Sequence, residues 1–180
     1  MTERVITSLA SGQVFIFSDA WNTPEGRVRQ LKYTLNPGKS VAPHIHPNSS
    51  QFFRVINGEL SVRADGKKIK LLPGDEVKSS HNGEHAQWND GREPVVVIEG
   101  YEPPIDIEPF FTVLPHAIES KNLLKIFVFL SDFDFVVTSR WRFAKNITKF
   151  IGFLGKLSGY KKWYLPHIQH LKCPDLISEK

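Results

Sequence analysis

The chain is 180 residues long, with 23 Lys or Arg against 19 Asp or Glu, 41% hydrophobic residues and one cysteine. That length suits one domain with a long appendage. The lone Cys173 argues against a disulfide-stapled secreted scaffold, and the longest apolar run of the C-terminal part, 126–130, is far shorter than the ~18 residues a membrane span needs. Residues 1–7 include Glu3 and lack the continuous apolar core of a signal peptide, so a reducing, cytoplasmic setting is expected.

From the N-terminus, alternating segments at 13–17, 27–35, 41–46, 51–57 and 59–64 read as strands. Asp65-Gly66 is a tight hairpin turn before a strand at 67–72, and Pro73-Gly74-Asp75 is a further turn. Strands then follow at 76–78, 84–89 and 94–101, the spacing of an antiparallel barrel or sandwich. His44 and His46 stand two apart, so on a strand they share one face and can grip one ion together. On the next strand Gln51, Phe53 and Val55 share a face, and His85 shares one with Gln87 and Asn89. Leu31, Tyr33 and Leu35 form the more apolar face of an earlier strand. Tyr33, Phe53 and Gln87 are the candidate pocket residues; Trp88 lies on the face opposite His85 and reads as packing. The facing of Glu99 is ambiguous, although a carboxylate base pointing inward would favour an enzyme.

Gly38, five residues, His44-Ile45-His46, four residues, Gln51, six residues and Gly58 together resemble the first motif of the cupins. Gly74, His85 and Asn89, at steps of eleven and four, are similar to the second. The resemblance spans roughly residues 10–105 and implies a mainly β fold: a double-stranded β-helix or jelly-roll barrel, here with C-terminal helices. In metal-bearing relatives the mouth holds one divalent ion on three histidines and a glutamate. Carried over by position, the ligands are His44, His46 and His85, with Gln51 where the glutamate is expected. The proline expected near Ser80 and the glycine expected near Asn82 are also absent. A carboxamide is neutral and offers one carbonyl oxygen, so Gln51 should bind an ion less strongly than a carboxylate and leave it more positively charged. Imidazole suits zinc, copper, iron and nickel, and an oxygen ligand leans toward manganese or iron; the sequence does not choose among them.

Beyond residue 103 the character changes. Pro103-Pro104 and Pro109 read as an extended linker, which divides the chain into a barrel domain at 1–105, a linker at 106–115 and a basic helical extension at 116–180. The extension carries 11 Lys or Arg against 5 Asp or Glu, and the residues before it 12 against 14, so the basicity is local to the extension. Between Trp141 and Leu157, Phe143, Ile147, Phe150, Ile151, Leu154 and Leu157 recur at three- and four-residue steps on one helical face. Arg140, Arg142, Lys145, Lys149 and Lys156 lie around the remainder. Packing within the molecule or a dimer is the first reading of this basic amphipathic stretch, a membrane surface touched through 140–164 the second, and nucleic acid a distant third. His116, His167 and His170 read as surface residues rather than ligands.

Two functions remain open. One is a metalloenzyme, oxygenase- or isomerase-like, acting on a small organic molecule, with Gln51 tuning the ion and Tyr33 or Gln87 orienting the substrate. The other is a non-catalytic ligand-binding or dimerisation cupin whose tail contacts a partner or a membrane. A homodimer is expected under either.

Overall fold

A computed structural model describes residues 4–7, 14–17, 21–23, 26–28, 30–103, 105, 107–133, 135–138 and 144–169. The strands are β1 (Arg4–Thr7), β2 (Val14–Phe17), β3 (Trp21–Thr23), β4 (Gly26–Val28), β5 (Leu31–Leu35), β6 (Ser40–Ile45), β7 (Ser50–Asn57), β8 (Leu60–Ala64), β9 (Lys67–Leu71), β10 (Glu76–Lys78), β11 (His85–Trp88) and β12 (Val95–Glu102). After them come α1 (Glu108–Glu119), α2 (Leu123–Asp132), a two-residue β13 (Val136–Val137), α3 (Ala144–Gly155), a π-helical turn (Lys156–Tyr160) and α4 (Leu165–Ile168). One sheet runs β1-β2-β5-β12-β7-β10, the facing one β13-β6-β11-β8-β9, and β3-β4 form a separate hairpin. All pairings are antiparallel. The molecule is thus a jelly-roll barrel with C-terminal helices.

Alternation sets which residues fill it. Leu31, Tyr33 and Leu35 of β5, Phe53 and Val55 of β7, and Val95 and Val97 of β12 are buried, while Lys32 and Arg54 between them are exposed. The strand expected over 27–35 is divided, because β4 pairs with β3 and only β5 enters the large sheet. Two turn residues are dictated by backbone. Gly58 has φ +82°, and a Cβ there would lie 2.8 Å from the Pro94 carbonyl, so only glycine fits. Asn82, near which the resemblance leads one to expect glycine, takes φ +60°, a left-handed conformation that asparagine tolerates better than most residues.

The stretch expected to be an extended linker is largely helical. Pro109 sits in the first turn of α1, where its missing N–H costs nothing, and Glu108 complements the positive end of the helix dipole. Phe110, Val113 and Ala117 recur at helical spacing and are buried. They join one continuous core with Phe15, Tyr33 and Tyr101 of the barrel and with Phe129 of α2. Phe111 packs on Phe15 at 4.5 Å between ring centroids, and Phe110 stacks on Phe129 at 5.0 Å. The helices therefore close the barrel rather than hang from it.

The amphipathic stretch does not pack its apolar side within the molecule. α3 faces the molecule with Thr148, Gly152 and Gly155, which are buried, and its apolar stripe points outward. The glycines explain this: a Cβ on Gly152 would lie 2.9 Å from the Phe127 carbonyl, and one on Gly155 2.6 Å from Val128, so α2 and α3 approach too closely for larger side chains. Arg140, Trp141, Arg142, Phe143 and His170 lie outside the described residues, as do the side chain of Lys145 and the whole of Cys173. Among the described residues no helix is long and apolar enough to cross a membrane.

Candidate metal centre and ligand cavity

β6 delivers His44, with His46 immediately after it, and β11 delivers His85, which stands directly opposite His44 in the ladder. A register shift between His85 and Gln87 bends the strand there. One ring nitrogen from each of the three histidines lies within 4.8 Å of the others, and all three residues are buried.

The tautomers follow from backbone contacts. His44 Nδ1 donates to the Ala42 carbonyl at 2.8 Å and His85 Nδ1 to the Gly83 carbonyl at 3.0 Å. A carbonyl can only accept, so in the neutral rings both Nε2 atoms carry lone pairs. Those two atoms face each other at 3.0 Å. Lone pairs at that separation require a cation between them, either a proton on one ring or a metal ion. Burial first, and then the neighbouring histidines, hold His44 well below the ordinary imidazole range. Burial pulls His85 down to about 4. A shared proton is therefore disfavoured at neutral pH, and the donor set fits a divalent ion held by neutral imidazoles.

Gln51, on β7, places Oε1 3.2 Å from His46 Nε2. Its Nε2 donates to the Tyr101 hydroxyl at 3.1 Å, and that hydroxyl donates to Glu99 Oε1 at 2.9 Å. Tyr33 donates to Gln87 Oε1, and Gln87 also bonds Glu99. One buried polar network thus joins the histidine cluster to Glu99 across the barrel. Glu99 is 3% exposed. Burial pushes its carboxyl up to about 7 against the opposing hydrogen bonds from Tyr101, Gln87 and Gln51. Burial, and then the nearby Glu99, raise the Tyr33 hydroxyl well above the usual phenol range.

These groups form one end of a cavity of about 380 Å³. His44, Gln51, Tyr33, Gln87, Glu99 and Tyr101 line the polar end. The rest is apolar and largely contributed by the C-terminal elements, through Phe110, Phe111 and Leu114 of α1, Ile126, Phe129 and Leu130 of α2, and Phe135 and Val137 around β13. β13 pairs with β6 at Ile45 and His44, which lays the Phe135 ring on His44 at 4.3 Å.

The structure brings His44, His46, His85 and Gln51 to one point, with Tyr33 and Gln87 in the same network. Phe53 does not line the cavity: it is fully buried inside the barrel, with its ring 5.8 Å from that of His85. Trp88 points away from the site and donates to Asp90 at 3.3 Å. Glu99 faces inward. Tyr101, two residues further on the same face, was visible in the alternation of β12 but not singled out. Phe135 had no sequence signal, because a two-residue strand at that distance along the chain cannot be read from periodicity.

The sequence model of the cupin domain family matches residues 31–101, and this stretch is a cupin domain. Over 78 residues the chain is 33% identical to an oxidoreductase of Arthrobotrys oligospora, a match covering 43% of this chain and 30% of that protein. Over 64 residues it is 33% identical to the tetracenomycin polyketide synthase protein TcmJ of Streptomyces glaucescens, covering 36% of this chain and 43% of that one. The chain thus spans less than half the length of these curated relatives. Among solved structures it is similar to a conserved double-stranded β-helix protein of Klebsiella pneumoniae, with a TM-score of 0.41, 23% identity, and coverage of 48% of this chain and 73% of that one. KdgF from Halomonas is also similar, with a TM-score of 0.45, 20% identity, and coverage of 53% and 83%.

Proposed function

We propose that this chain is a metal-binding cupin that acts on a small organic molecule with an apolar body and one polar end. The observation that carries the reading is a cluster of three buried histidines that meets one largely apolar cavity through His44, with Glu99 on the same wall. The apolar walls exclude water from the body of a ligand, while Tyr33, Gln87 and Glu99 turn its polar group toward the histidines. His44, His46 and His85 would hold the ion, with Gln51 beside it. A bound ion there supplies Lewis-acid polarisation or electron relay to the ligand's polar group.

Glu99 carries the proton chemistry available to the chain. With its carboxyl near 7, it exists in both forms at neutral pH and can take a proton on Oε or return one to a bound ligand. The Tyr101 hydroxyl steadies the ionised form. This inward carboxylate favours an enzyme, oxygenase- or isomerase-like, over a purely binding module.

The test is elemental analysis by plasma mass spectrometry of protein purified without a polyhistidine tag. About one ion per chain, lost in His46→Ala and bound more tightly in Gln51→Glu, supports the site; unchanged metal content in both variants would sink it. The shape of the ligand is tested separately with 1-naphthol, whose fluorescence reports an apolar site. Leu114→Gln should weaken its binding several-fold while leaving metal content unchanged.

A further inference from the structure

α3 is amphipathic in an unusual sense: its buried side is small and its exposed side is large. Thr148, Gly152 and Gly155 face α2, and on the opposite side Ile147, Phe150, Phe153, Leu154 and Leu157 are between 38% and 69% exposed. Five large apolar side chains on one exposed stripe exceed what a solvated helix ordinarily carries.

Charge decides what the stripe is suited to meet. The sequence from 135 to 174 contains eight Lys or Arg and no Asp or Glu. Lys149 on α3 and Lys161 after the π-helical turn are exposed. The nearest carboxylate on α2, Asp132, is already engaged by Lys156 and by the Tyr164 hydroxyl. Two copies meeting through this stripe would bring two lysine-bearing helices together with no carboxylate from α3 to answer them. Nucleic acid would offer phosphates to the lysines and bases to Phe150 and Phe153, but nothing to the aliphatic Ile147, Leu154 and Leu157 of the same stripe. An anionic lipid surface answers both, since the apolar row can enter the boundary between headgroups and acyl chains while the lysines reach lipid phosphates.

We propose that α3 and the π-helical turn after it form a peripheral docking surface for anionic membranes, with the helix lying in the plane of the interface. Because α3 is held to α2 by its glycine face, docking leaves the barrel and its cavity intact.

The experiment is co-sedimentation of the full chain with phosphatidylcholine vesicles, with and without phosphatidylglycerol. Binding should require phosphatidylglycerol and weaken with added sodium chloride. The double substitution Phe150→Ser, Phe153→Ser should raise the lipid concentration for half-binding more than about tenfold. Lys149→Glu should raise it several-fold, with thermal unfolding and metal content unchanged in both variants. No sedimentation with phosphatidylglycerol vesicles would overturn the proposal, as would equal binding to the two vesicle types or full binding by the double variant. A dimer in light scattering that the same double substitution dissociates would overturn it in favour of an interface between two copies.

Discussion

The interior of the barrel and the outer helix of the extension follow opposite logics. Inside the barrel, polar side chains are buried and hydrogen-bonded: Gln51, Tyr101, Glu99, Gln87 and Tyr33 form one network in a place where apolar filling would be the default. On α3, large apolar side chains are exposed while Thr148 and two glycines are buried. Packing alone accounts for neither arrangement. The hydrogen bonds of that network offset the desolvation of its members and hold three histidines and a carboxylate in fixed positions. An exposed row of Phe and Leu is stable in a folded chain only if something covers it part of the time or its exposure is tolerated. The molecule thus departs from simple burial at two places, and the proposed ligand site and the proposed docking face lie there.

The largest expected effect comes from separating the two regions. Deleting residues from 116 onward removes α2, β13 and the end of α1, and exposes Phe110, Phe111 and Phe15 together with the mouth of the cavity. The truncated barrel should be insoluble or bind hydrophobic dyes strongly. A soluble, cooperatively unfolding 1–115 fragment would show instead that the barrel is an independent unit and that the helices are an accessory.

Strand periodicity made the barrel legible. Tyr33, Gln51, His85 and Gln87 could be assigned to inner faces because period-two alternation leaves a side chain only two directions, and the two glycine-anchored motifs fixed the register of the histidines. Glu99 stayed ambiguous because both faces of β12 carry apolar residues, Val95 and Val97 on one and Val96 and Ile98 on the other. The extension was legible only as helix. The stretch around Pro109 was misread because proline breaks a helix interior yet suits a first turn, and the two cases differ by where the helix starts. The direction of the α3 stripe is not legible from periodicity, which finds an apolar face without saying what covers it; the signal that bears on it is a pair of glycines three residues apart.

Within the barrel, Glu99→Gln tests whether the carboxyl is held as described. The native carboxyl titrates near 7 and the unfolded one near 4.5, so between these values the native state keeps a proton that the unfolded chain has lost. The stabilising contribution of the protonated form is complete below the unfolded value and disappears as pH rises through 7. Gln is neutral throughout. Metal-free Glu99→Gln should therefore match wild type near the unfolded value and exceed it by roughly 3 kcal/mol in alkaline solution, as measured by urea unfolding across pH. His44 and His85 titrate in the opposite sense: the native state resists their protonation, so stability falls on acidification from the ordinary imidazole range toward 4. Both proteins share that loss, so the difference between them isolates Glu99. A difference independent of pH would place the residue in contact with water.

On the helix, a matched pair of substitutions sets the two faces against each other. Gly152→Val adds side chain where even a Cβ would lie 2.7 Å from Ser131 Oγ and 2.9 Å from the Phe127 backbone carbonyl, so α2 and α3 must part. The expected loss is about 1–3 kcal/mol. Phe150→Ser removes a far larger group from the opposite side, where it is 61% exposed, and should change stability by less than about 0.5 kcal/mol. The ranking inverts the usual expectation that losing a phenylalanine harms a fold more than enlarging a glycine. If Phe150→Ser proved the more damaging in thermal unfolding, the stripe would be packed against the rest of the protein in solution, and the case for a membrane-facing helix would fall with it.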